Sequence, residues 1–160
     1  MRSKTFEGAV RAQLASVLDW GDAHATLDAS VKGIAPRLRG VRPKGLPHSA
    51  WELVEHIRLA QADILEFCRS AGYKEKKWPE GYWPASPKPS GAAWARSLAA
   101  FRRDRRAFQR LTLNRRVALT AKIPHGTGQT YLREILLVAD HTAHHVAQII
   151  DVRRALGIWR

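Results

Sequence analysis

Apolar residues recur at helical spacing in four long segments, separated by clusters of glycine, proline and polar residues. In the first, residues 5–32, Phe6, Val10, Leu14, Val17 and Leu18 share a face, and Leu27 and Val31 resume the pattern beyond Gly21. Gly33, Pro36 and Gly40 then end it. The second helix has a sharper start. After Pro47, Ser49, Ala50, Trp51 and Glu52 spell a capping box, in which the serine accepts from the third helical N–H and the glutamate reaches back. Leu53, His56, Ile57, Ala60 and Ile64 make one stripe, and the helix is predicted to stop near Ala71 with Gly72 as a left-handed cap.

Residues 73–89 form a long loop holding Pro79, Pro84, Pro87 and Pro89 with Trp78, Tyr82 and Trp83 between them. Those rings either close over a pocket or pin the loop to the bundle. Large rings rarely stay exposed without a partner, which favours pinning. The third helix starts with Ser90 as N-cap and buries Trp94, Leu98, Phe101, Phe108 and Leu111. Residues 112–129 are a connector, where Val117, Leu119, Ala121 and Ile123 alternate with Ala118, Thr120 and Lys122 and predict a short extended piece. The fourth helix runs from about Thr130 to Leu156, with Gly157 as its stop. Four apolar-striped helices without a convincing sheet predict an all-α four-helix bundle, folded as one domain over residues 1–160.

The fourth helix carries the chemistry. His141 and His145 are four residues apart and so lie one above the other. Val138, Ile149 and Val152 share their face, so the pair points inward. His144 shares a stripe with Asp140 and Asp151; the periodicity favours His145 as the inward partner, although three-residue spacing also permits His144. His56 lies on the apolar stripe of the second helix. Two imidazoles on one helix and one on another can hold a metal and leave a coordination position open, the pattern of catalytic rather than structural ions. The competing reading is three core histidines with ordinary partners. Burying each unpaired polar group costs about 1–3 kcal/mol, and one cation satisfies all three. Gln148, seven residues beyond His141, is placed to hydrogen-bond a ligand or a bound water. His48, just before the second helix, belongs to its cap or to the surroundings of the site, and His24 and His125 are read as structural or solvated.

Composition narrows the function classes. Cys68 is the only cysteine, which excludes a disulfide framework and a thiolate zinc cluster, and its place beside Phe67 suits a small buried hydrophobe. Neither a nucleophile-elbow serine nor a glycine-rich phosphate loop is present. A water or a cosubstrate thiol deprotonated by the ion would therefore supply the nucleophile. No segment reaches the apolar length of a membrane span, and the N-terminal stretch lacks the apolar run of a signal peptide, so a cytoplasmic location is expected. The 27 basic and 14 acidic residues give a net charge of +13, and Arg102, Arg103, Arg105, Arg106, Arg110, Arg115 and Arg116 crowd one region. That field attracts polyanions, so a basic nucleic-acid-binding protein with structural histidines is a second reading. A metal-stabilised module without catalysis is a third.

The ordered set Leu46-Pro47-His48-Ser49, His56, then His141, His145 and Gln148, with the ending Val152 to Gly157 and Trp159, resembles the DinB/YfiT-like superfamily of small bacterial four-helix proteins. Ala147 departs from the glycine that often precedes the glutamine there. The resemblance implies a bundle with one non-simple connection and a divalent metal, often nickel or zinc, on His56, His141 and His145. Gln148, His144 and His48 would then surround the ligands. It also implies a homodimer, and a small-molecule substrate handled either by a metal-dependent hydrolase or, as in some members, by a thiol S-transferase or isomerase using a low-molecular-weight thiol such as bacillithiol, mycothiol or glutathione.

Overall fold

The computed structural model describes residues 5–159 and is all-helical, with four long helices and one short one. They are α1 (Phe6–Val17), α2 (Leu27–Val31), α3 (Ala50–Arg69), α4 (Gly91–Leu113) and α5 (Tyr131–Ala155), with single 3-10 turns at Pro36–Leu38 and Glu80–Tyr82. α3 packs against both α4 and α5, α1 packs on α4, and α2 on α5. No helix among the described residues is long and apolar enough to cross a membrane.

The caps follow the expected chemistry where a hydroxyl stands at the boundary. Ser49 Oγ accepts from Glu52 N, and Glu52 accepts in return from the Ser49 backbone, completing the box. Ser90 and Thr130 cap α4 and α5 by single bonds, their side-chain oxygens accepting from Ala93 N and Arg133 N. Gly157 adopts a positive φ of 70° and stops α5 where Cβ-bearing residues are disfavoured.

Three expectations change. The first segment is not one helix, because α1 ends at Val17 and a new cap, Thr26, starts α2 by accepting from Ala29 N. Asp19, Trp20, Gly21 and Asp22 lie in the gap; glycine weakens a helix there and the short polar side chains compete for the backbone. α3 ends at Arg69 rather than near Ala71, and Gly72 is not left-handed. Ser70 turns extended instead, which lets Tyr73 fold back so that its hydroxyl donates to Asp63 at 3.0 Å. The alternating connector forms no strand among the described residues, only a single antiparallel bridge between Lys122 and Thr130.

The core is built in two clusters. Trp51, Val54, Ile57, Trp94, Phe101 and Ile149 belong to one, and Leu65, Phe108, Ile123, Ile135 and Val138 to the other. On α5 the first cluster begins at Val146 and the second ends at Val138, so His141 and His145 fall at the junction. α3 and α5 run antiparallel. Leu53 shares a cavity with Val152, and Asp63 shares another with Leu137 and Arg133.

A buried polar anchor fastens the 73–83 loop. Asp63, seven residues after His56 and on the same face of α3, accepts from the hydroxyls of Tyr73 and Tyr82 and from Lys76 Nζ, at 3.0, 2.9 and 3.0 Å. Asp63→Ala would remove the shared acceptor of two hydroxyls and an ammonium. It should cost about 2 kcal/mol in urea unfolding and speed tryptic cleavage at Lys74, Lys76 and Lys77. Unchanged cleavage would show that the loop is held by its rings alone.

Candidate metal centre

α3 presents His56, and successive turns of α5 present His141 and His145. The three residues each offer a ligating nitrogen, and these nitrogens lie within 4.8 Å of one another. His56 is 4% exposed, and the other two are half-buried at the mouth of the α3/α5 groove.

Hydrogen bonds decide which nitrogens face inward. His56 Nδ1 lies 2.8 Å from the Tyr82 carbonyl oxygen. A carbonyl only accepts, so Nδ1 carries the proton and Nε2 keeps its lone pair. His145 Nδ1 likewise faces Gln148 Oε1 at 2.7 Å, and the amide nitrogen of Gln148 lies 3.3 Å from His144 Nε2. His56 Nε2 in turn meets His141 Nε2 at 3.1 Å. Two lone pairs at that distance repel unless a proton or a cation lies between them. A single proton satisfies one such pair and leaves the third imidazole without a donor. The donor set, three convergent imidazoles with two backs already occupied, fits a divalent ion.

Aromatic packing fixes the ring of His56. Trp83 stacks on it at 4.2 Å with 7° between the planes, and His48 stacks on the other face of Trp83 at 4.2 Å and 20°. The loop therefore both pins and walls the site. Trp83 is held by its neighbour Tyr82, whose carbonyl orients His56 while its hydroxyl reaches Asp63. Trp78 stays 68% exposed and contributes no wall.

The imidazoles are held neutral. Burial, aided by the neighbouring imidazoles, pushes His141 down to about 3. Burial also takes His145 down to about 4, against the opposing bond to Gln148. His56 and His48 are lowered for the same first reason, burial. A neutral imidazole is the form that ligates metals.

Two cavities flank the cluster along the groove. One, of about 430 Å³, is lined by Asp63, Phe67, Tyr73, Tyr82, Arg133 and Leu137 among others. The other, of about 230 Å³, lies between His48, Leu53, Gln148 and Val152.

The family model of the DinB superfamily matches residues 20–149. The chain belongs to the DinB superfamily. No curated protein and no solved structure matches it.

In this DinB-superfamily chain the other expected neighbours separate. Gln148 touches the cluster directly, through His145. His144 is exposed; it meets the edge of the His145 ring at 4.9 Å between centroids and lies 3.3 Å from the Gln148 amide nitrogen. His48 makes no cap, which Ser49 and Glu52 already provide, and acts through Trp83. His24 and His125 lie on the surface, bonded to the carbonyls of Ala25 and Phe67. Sequence reasoning missed Asp63 and the Tyr82 carbonyl. An acid on the same helix face as His56, two turns on, was the available signal; a backbone oxygen leaves none.

The lowered histidines set an acid sensitivity. Folded values near 3 and 4 lie below an unfolded value of about 6.5. Stability from these groups is thus complete above about pH 6.5 and is lost as pH falls, because the unfolded chain then binds protons that the folded chain refuses. With a chelator present, the melting temperature should drop from pH 7 to pH 5, and the drop should shrink in the His141→Ala/His145→Ala variant. Equal slopes for the two proteins would contradict the assignment.

Proposed function

We propose that the chain is a metal-dependent enzyme that acts on a small molecule, with one divalent ion held by His56, His141 and His145. The observation that carries this reading is the convergence of the three imidazoles within 4.8 Å, with the Nδ1 of His56 and of His145 bonded to an acceptor. Imidazole donors suit zinc and nickel among others, and these two are the ions we propose. Bound there, such an ion supplies Lewis acidity toward a small nucleophile.

The residues around it divide the remaining work. Tyr82 and Gln148 orient His56 and His145. Trp83 covers the face of His56 and keeps water from that side. The larger cavity, between Phe67, Tyr73, Tyr82, Arg133 and Leu137, begins one turn of α5 before His141 and is the proposed substrate chamber. The nucleophile comes from outside the chain. Cys68 is buried in the second cluster, and burial pushes its thiol up to about 12. A small thiol, or water, fills the role, so thiol transfer to an electrophile is the favoured reaction and hydrolysis its near relative. Membership of the DinB superfamily supports the first of these.

Protein without an affinity tag, purified without a nickel column, should contain about one metal ion per chain by mass spectrometry. His56→Ala, His141→Ala and His145→Ala should each lose most of it. Metal retained in full by any one variant would remove that residue from the ligand set. Protein that neither carries nor takes up zinc or nickel would overturn the proposal.

A further inference from the structure

The arginines of α4 separate into two groups that the sequence alone does not distinguish. Arg102 and Arg105 turn toward the bundle. Arg102 pairs with Asp28 at 2.6 Å, and Arg105 pairs with Asp19 and with Asp28. Their charge is consumed in tying α4 to α2 and to the turn after α1. Arg96, Arg103, Arg106 and Arg110 are all exposed. At 100° per residue these four fall within an arc of about 80°, opposite the buried face of Trp94, Phe101, Phe108 and Leu111. Arg103 lies against Asp104 at 2.9 Å, while Arg96, Arg106 and Arg110 have no carboxylate partner among the described residues. The stripe runs about 21 Å along the helix. Arg115 and Arg116, also exposed, lie in the turn that follows the helix.

We infer that this face is a docking surface for the phosphate backbone of a nucleic-acid duplex. Charge complementarity carries the inference: guanidinium forks on a straight rail match phosphate oxygens bidentately. Between the arginines the face holds only small residues, Ala92, Ala95 and Ala99, with Leu113 at one end. A single leucine falls short of the apolar face that lets a basic helix sink into a bilayer. Between Arg96 and Arg110 it offers no asparagine, glutamine or aromatic reader of base edges, and the contacts we infer are those of guanidinium with phosphate. The surface is separate from the histidine groove and does not depend on the metal.

A fluorescently labelled 25-base-pair duplex of arbitrary sequence, titrated with the whole protein between 50 and 300 mM KCl, tests it. Four phosphate contacts imply that log affinity falls against log salt with a slope of about −4. Arg96→Ala/Arg106→Ala/Arg110→Ala should remove about 3 from that slope and weaken binding roughly a hundredfold at the lowest salt. Alanine favours an exposed helix, so circular dichroism should be unchanged. The charge-matched control Lys44→Ala/Lys74→Ala/Lys122→Ala should keep the wild-type slope. No duplex binding at 50 mM salt, or equal losses in the two triple variants, would overturn the surface. So would tighter binding to vesicles of 30% phosphatidylserine in phosphatidylcholine, reversed by the same three arginine substitutions.

Discussion

Three imidazole nitrogens aimed at one point repel one another unless something positive stands among them, and the rest of the groove is arranged around that constraint. His56 is taken out of water and His141 and His145 partly so, which opposes their protonation. The protons of His56 and His145 are bound at their backs by acceptors, a carbonyl and an amide oxygen. What remains is a cluster of lone pairs that a core made only of hydrocarbon would not tolerate.

Two long helices alone do not achieve this. The i, i+4 geometry of α5 brings His141 and His145 together, but the orientation of His56 comes from a loop. Asp63 draws down Tyr73, Tyr82 and Lys76, and the same segment delivers a carbonyl to His56 Nδ1 and an indole to its face. A surface loop of this length would ordinarily be loosely held. Here a buried carboxylate and a stack of three rings make it part of the site. The groove widens on both sides of the cluster, giving a small molecule access at Arg133 and Leu137 or at His48 and Val152.

Much of this was legible in the sequence because it depends on periodicity and capping. Ser49, Ser90, Thr130 and Gly157 mark helix ends through their own side chains or lack of one, and the histidine stripe obeys the 3.6-residue repeat. The break after Val17 was hidden because Leu27 and Val31 keep the helical phase of the preceding turns. The end of α3 was misplaced because Ser70, not the glycine, leaves the helix, under a pull from Tyr73 that is tertiary. The carbonyl of Tyr82 and the sandwich of Trp83 between His48 and His56 join residues 26 to 35 positions apart through backbone and ring faces, for which one-dimensional patterns carry no sign.

In the proposed site three Nε2 atoms face a common cation while the Nδ1 protons of His56 and His145 stay on their acceptors. Long-range proton–nitrogen correlation spectra of nitrogen-15-labelled histidines, recorded before and after one equivalent of zinc, address it directly. His56, His141 and His145 should shift at Nε2 alone, with Nδ1 of His56 and His145 protonated throughout and His24 and His125 unchanged. Shifts at Nδ1 of His56 or His145, or no shift in the three rings, would contradict it.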